Sequence, residues 1–220
     1  TMTPTVTLHS LPLNPGNFPT LSDALDYASL GETGCNFYSG RGKLAHVLSY
    51  KDLQIQAKNL AKKLNSLRLD RGARVALVAD TNPDFIRFFF ACQYAGLTPV
   101  PLPISLHLGG HQAYVTQLRR LLESCCPSVA MAPDGLVPYL EEASQGLGLS
   151  LIGGPEIFAS LPEDESQLCP LAPHELAYIQ YTSGSTRWPR GVEVTQAAVM
   201  TNLAGIIQNG LQVTRSEEHT

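Results

Sequence analysis

Apolar residues recur along this chain with two alternating periods. Leu53, Ala57, Leu60, Ala61 and Leu64 fall at i, i+4, i+7, i+8 and i+11, which predicts an amphipathic helix capped by Ser49, with Lys58, Lys62 and Lys63 facing water. Just before it, residues 35–38 and 44–48 flank the turn-forming Ser39-Gly40-Arg41-Gly42 and predict an antiparallel hairpin. After the turn Asp70-Arg71-Gly72, the run Val75-Ala76-Leu77-Val78-Ala79 has the length and branching of a strand buried on both faces. Asn82-Pro83-Asp84 opens a helix over 85–94 and Gly96 closes it; Val100-Pro101-Leu102-Pro103 then runs extended, its prolines marking a sheet edge or strand end.

A second cycle follows: helix over 111–124, strand over 128–132, helix over 136–143 and strand over 149–152. Repeated alternation of this kind implies right-handed β-α-β units. The predicted fold class is α/β, a largely parallel sheet flanked by helices on both faces, with an N-terminal antiparallel hairpin. Residues 1–20, with Pro4, Pro12, Pro15 and Pro19, read as an extended arm, and residues 21–220 as one α/β unit. The stretch 153–173, with more prolines and Glu163-Asp164-Glu165, reads as a solvated connection. Aromatic residues Phe85, Phe88, Phe89 and Tyr94 lie at helical spacing and read as core.

Composition narrows the function classes. With 220 residues and 44% hydrophobic side chains the chain can bury a core unaided. Its net charge of -4 is spread without like-charge runs, which points away from nucleic acid and membrane surfaces. Neither a signal peptide nor an apolar run long enough to span a bilayer stands out, so a cytoplasmic setting is expected. Cys35, Cys92, Cys125, Cys126 and Cys169 have no C-x-x-C spacing and read as buried, reduced thiols. His107 and His111 are four apart, but Gly109-Gly110 between them disfavours a helix and no third ligand is near, so no metal site is assigned. His46 and His174 stand alone and read as structural or exposed.

The chemistry concentrates after an apolar strand, Leu176-Ala177-Tyr178-Ile179-Gln180-Tyr181. There Thr182, Ser183, Gly184, Ser185 and Thr186 supply four hydroxyls around one glycine, a donor set suited to an anion that sheds its water. Arg190, next to Gly191, adds a charged planar fork. A Ser/Thr-rich surface turn has the same composition. Neither G-x-x-x-x-G-K-[ST] nor G-x-G-x-x-G occurs here, so the order of residues is neither a Walker loop nor a dinucleotide fingerprint. Trp188 has two readings, shielding of a phosphate site or local packing.

That order resembles the phosphate-binding signature of adenylate-forming enzymes, Tyr-Thr-Ser-Gly-Ser/Thr-Thr-Gly-x-Pro-Lys-Gly-Val. Tyr181, Thr182, Ser183, Gly184, Ser185, Thr186, Pro189, Gly191 and Val192 match it; Arg187 replaces glycine and Arg190 replaces lysine. A positive φ at Arg187 would cost on the order of 1 kcal/mol. Phe18-Pro19-Thr20-Leu21, Leu48-Ser49-Tyr50-Lys51-Asp52-Leu53, Val100-Pro101-Leu102-Pro103 and Tyr178-Ile179-Gln180-Tyr181 extend the resemblance, towards the fatty acyl-AMP ligase branch. Gln196 departs from the histidine that many relatives place there.

The resemblance implies an N-terminal fragment of a ligase that uses ATP and Mg2+ to convert a fatty or other carboxylic acid to acyl-AMP and pyrophosphate. An acyl carrier protein is the implied acceptor; CoA is the alternative, and a non-catalytic module binding nucleotide or a partner is a third reading. Thr182, Ser183, Gly184, Ser185, Thr186, Arg190 and Gly191 would hold the phosphates. Adenine, ribose and catalytic-lysine motifs are expected beyond Thr220, so no complete catalytic set is assigned and the isolated chain is expected to be inactive.

Overall fold

The protein is described here by a computed structural model covering residues 18–80, 82–105, 109–181 and 188–202. In chain order the elements are α1 (Leu21–Ala28), β1 (Gly34–Tyr38), β2 (Leu44–Ser49), α2 (Tyr50–Asn65), β3 (Arg74–Val78), α3 (Pro83–Ala95) and β4 (Thr98–Leu102). They continue with α4 (Gly110–Cys125), β5 (Val129–Met131), α5 (Val137–Ala143), β6 (Leu151–Gly153), α6 (Pro155–Ala159), β7 (Leu176–Tyr181) and β8 (Gly191–Thr195). Helical backbone resumes at residues 196–202.

Four parallel strands form the central sheet in the order β4-β3-β5-β6. Because side chains alternate across a strand, Val75 and Leu77 face one side of β3 and Ala76 and Val78 the other. The first pair packs with Leu60, Leu64, Phe88, Ala91, Cys92, Val129, Met131 and Phe158, contributed by α2, α3, α6 and β5. The second packs with Val100, Leu102, Ala130 and the apolar face of α4 and α5, including Leu118, Leu122 and Leu140. The chain moves from β3 to β4 with α3 on one face, then returns past β3 to β5 and β6 with α4 and α5 on the other. Crossovers of one hand require this exchange of faces when the direction reverses.

Local signals act as expected. Ser49 Oγ accepts the Asp52 amide at 3.0 Å and starts α2, whose buried residues are Leu53, Ala57, Leu60, Ala61 and Leu64. Asn82 Oδ1 accepts the Phe85 amide at 3.2 Å, Pro83 supplies a preset φ at the first turn of α3, and Gly96 ends it at φ 73°. A Cβ at Gly96 would be strained by this φ and would also crowd Arg71 Nη1 at 2.6 Å and the Cys169 carbonyl at 3.0 Å. Strands β1 and β2 pair antiparallel. Phe85 and Phe89 are half-buried, whereas Phe88 and Tyr94 are fully enclosed.

Four expectations need correction. Helix α1 is absent from the sequence reading; Thr20 Oγ1 caps it by accepting the Asp23 amide at 3.2 Å and is itself buried, while residues 1–17 of the expected arm lie outside the described residues. The stretch after β6 is more than a solvated connection, since it contains α6, whose Phe158 is fully buried edge-on against Phe88, and Leu171 is also buried. Two of its acids are paired: Asp164 lies 3.0 Å from Arg68 and Glu165 3.6 Å from Lys62. The lysines of α2 do lie on its outer face, yet Lys63 Nζ donates to the Ala159 carbonyl at 2.6 Å and Lys58 sits over the Tyr94 ring. Of the five free cysteines, Cys92 and Cys125 are buried and their thiols are pushed up by burial, but Cys126 and Cys169 are exposed.

The edge of the sheet decides how the last hairpin attaches. The Thr98 amide donates to Ala73 and the Leu102 carbonyl accepts from Ala79, so the even-numbered residues of β4 turn towards β3. Pro99, Pro101 and Pro103 therefore turn outward and offer no N–H on the open side. Strand β7 lies along that side, yet its hydrogen-bonded partner is β8 rather than β4. Replacing Phe158 by Ala should cost about 3–5 kcal/mol, because α6 has no other fully buried side chain with which to hold this face. Urea denaturation of the two proteins measures it.

Candidate active site

Strand β7 buries Ala177, Ile179 and Tyr181 and carries the chain to the hydroxyl-rich segment; β8 carries it back. The ladder pairs Tyr181 with Gly191, Gln180 with Val192 and Ile179 with Glu193, so the two ends of the segment stand opposite each other. Thr182, Ser183, Gly184, Ser185, Thr186 and Arg187 lie outside the described residues. The frame around them is described, and it explains several signature positions.

Gly191 has no room for a side chain. A Cβ there would lie 2.6 Å from Ile179 Cγ2 and 3.0 Å from Tyr181 Cζ, both on the facing strand. Tyr181 is 9% exposed, and its Oη donates to Ser124 Oγ at 2.7 Å; Ser124 Oγ in turn donates to the Pro189 carbonyl at 3.2 Å. This chain of hydroxyls ties the end of β7 and the returning leg of the segment to the last turn of α4. Burial raises the Tyr181 pKa, with the Ser124 hydrogen bond acting the other way, so the phenol remains a donor at neutral pH. Arg190 is exposed and has no acidic partner among the described residues, which leaves its charge available. Trp188 is 71% exposed.

The hairpin is anchored at its other end by two polar clusters. Arg71 grips Glu175 with Nη2 at 2.6 Å and Nε at 3.0 Å, and its remaining donors reach the Cys169 and Pro170 carbonyls. The Arg71 guanidinium holds the Glu175 carboxyl below the usual carboxylate range, reinforced by the Ala172 amide. Gln196, which departs from the histidine that many relatives place there, is fully buried. Its Nε2 donates to Gln93 Oε1 at 2.7 Å and its Oε1 accepts the Leu21 amide at 3.0 Å.

Ser124, Gln93, Arg71 and Glu175 escaped the sequence reading. Only Gln93 carried a local signal, as a polar residue within the apolar helix 85–94. Elsewhere, His111 Nε2 lies 2.7 Å from Glu142 with its ring against Tyr139, while His46 and His174 are exposed; His107 lies outside the described residues.

Two measurements test this frame. Gly191→Ala should destabilise the protein by about 1–3 kcal/mol through overpacking against Ile179 and Tyr181, read by urea denaturation. Because the folded Glu175 pKa is depressed, its contribution is complete above the ordinary carboxyl value near ~4.3 and is lost as pH falls through the folded value. Arg71→Ala should therefore flatten the dependence of unfolding free energy on pH below about 4.3.

The profile of the AMP-binding enzyme family matches residues 37–219. A protein of Caulobacter vibrioides, provisionally named an acyl-CoA synthetase, is 43% identical over 91% of this chain and 35% of its own length. JamA of Moorena producens, named a medium-chain-fatty-acid–[acyl-carrier-protein] ligase, is 31% identical over 81% of this chain and 31% of its own. A chain solved in a study of fatty acyl-adenylate ligases from E. coli and L. pneumophila superposes with a TM-score of 0.86 at 43% identity, covering 91% of this chain and 36% of that one. This chain therefore spans about a third of the length of each of these relatives. A family match that runs from the first hairpin past the hydroxyl-rich segment settles the assignment: the chain belongs to the AMP-binding enzymes of the adenylate-forming superfamily.

Proposed function

We propose that this chain is the amino-terminal α/β portion, residues 21–220, of a ligase that activates a fatty acid as its adenylate and passes the acyl group to a carrier protein. The observation that carries the reading is the anchored pair Tyr181 and Gly191, which holds both ends of the segment Thr182, Ser183, Gly184, Ser185 and Thr186, with Arg190 exposed beside them. In this reading the substrate carboxylate attacks the α-phosphorus of ATP, the bond to the bridging oxygen breaks, and pyrophosphate leaves. The segment and Arg190 bind the β- and γ-phosphates, so that the leaving group is fixed in line.

Magnesium bound with the nucleotide would offset the negative charge of its phosphates. Among the described residues no cluster of three His, Cys, Asp or Glu side chains could hold a metal by itself. The free thiols agree with a cytoplasmic setting, and no described helix is long and apolar enough to cross a membrane. The provisional name of the Caulobacter relative favours CoA as a second possible acceptor.

The uninterrupted gene product should release pyrophosphate from ATP in a fatty-acid-dependent manner. Acyl transfer to a carrier protein without acyl-CoA formation selects the carrier-protein acceptor, acyl-CoA formation selects CoA, and no acid-dependent pyrophosphate release removes the proposal. Arg190→Ala should raise the KM for ATP by roughly tenfold or more through the lost charge-assisted bonds, with Arg190→Lys much closer to wild type. In the isolated chain, calorimetry should show weak ATP binding at most; tight magnesium-dependent binding would contradict the assignment of adenine and ribose contacts to later sequence.

A further inference from the structure

Gln93 and Gln196 are both fully buried, although glutamine loses its water there unless every strong partner is replaced. Their amides do replace them. Gln196 Nε2 donates to Gln93 Oε1 at 2.7 Å, Gln93 Nε2 donates to the Ala177 carbonyl at 2.8 Å, and Gln196 Oε1 accepts the Leu21 amide at 3.0 Å. The backbones join in: the Gln93 carbonyl accepts the Leu171 amide at 2.9 Å, and the Gln196 amide donates to the Glu175 carbonyl at 3.0 Å. One pair of side chains thus connects α1, α3, the strand leading into the hydroxyl-rich segment and the helical turn leading away from it.

The proline-bearing edge of β4 makes this pair more than ordinary core. Since β4 presents no N–H to β7, backbone pairing does not fix the height or tilt of the β7–β8 hairpin against the sheet. We propose that Gln93 and Gln196 are positioning residues of the nucleotide site, setting where the two ends of the phosphate-binding segment stand; this rests on the function proposed above. From Ala177 to Tyr181 the strand reaches roughly 13 Å at about 3.3 Å per residue. Over that lever a tilt of about 5° moves the tip by about 1 Å, a displacement that can cost on the order of a hundredfold in rate when the phosphates must be held in line.

The chemistry required at position 196 is one acceptor for Leu21 and one donor for Gln93. Neutral imidazole offers both, whereas imidazolium offers donors only. Gln196→His should therefore work when neutral and fail when protonated. Its folded pKa would be depressed, because the charged form loses the Leu21 bond, so the variant's stability should fall as pH drops below the ordinary histidine value of about 6.5.

The test compares wild type, Gln196→Met, Gln93→Met and Gln196→His by amide hydrogen exchange on this chain and by ATP kinetics on the uninterrupted gene product. The Met variants should speed exchange in residues 176–195 at least tenfold relative to β3, β4 and β5. They should also lower kcat/KM for ATP at least thirtyfold and alter acrylamide quenching of Trp188, the sole tryptophan. Gln196→His should stay within about threefold of wild type at pH 8 and approach the Met variant only as pH falls through its depressed folded pKa. Exchange that rises uniformly, hairpin exchange that does not change, or an unchanged kcat/KM for ATP overturns the positioning role. Should the Met variants fail to fold, the pH series of Gln196→His decides by the same criteria. A wild type with no ATP turnover on any acid refutes the ligase reading, and exchange then decides by itself whether the amide pair anchors the hairpin.

Discussion

A parallel sheet can extend only while its edge still offers both N–H and C=O groups, and here that supply stops at β4. With Pro99, Pro101 and Pro103 turned outward, the neighbouring β7 finds acceptors without donors and takes β8 as its partner. The chain thus divides into a core held by backbone ladders and apolar packing, and a hairpin seated on it by side chains.

Three polar contacts take over the task that a ladder performs elsewhere. Arg71 and Glu175 fix the approach to β7, the Gln93–Gln196 pair fixes its root and the departure from β8, and Tyr181 with Ser124 fixes its tip. They differ in exposure. Side chains of the ion pair are 45% and 20% exposed, so water and salt weaken it, whereas both glutamines are closed off from solvent and their hydrogen bonds cannot be exchanged for water without opening the core. The buried amides should accordingly resist opening most.

Much of the core was legible because local periodicity and burial coincide there. All five residues of the stripe Leu53, Ala57, Leu60, Ala61 and Leu64 are buried, and Asn82, Pro83 and Gly96 bound α3 as their cap chemistry requires. Shorter elements were not legible. Helix α1 offers Leu21 and Leu25 on a single face, α6 has only five residues, and β8 lies behind a segment whose composition drew attention to its hydroxyls. Such elements form because a neighbouring surface pays for their order, as Phe88 does for Phe158.

The sequence by itself determined the alternation of strands and helices, the face that each long helix buries, and the signature from Tyr181 to Val192 with its two arginine departures. These features are written in spacing and order, which act between residues close along the chain. Only the tertiary structure decided that Gly191 must lack a side chain, that Ser124 receives the Tyr181 hydroxyl, and that Gln196 turns inward to Gln93 and Leu21. Those partners come from distant parts of the chain, and no local period marks them; a buried amide shows its purpose only when the donors and acceptors that replace water are in place around it.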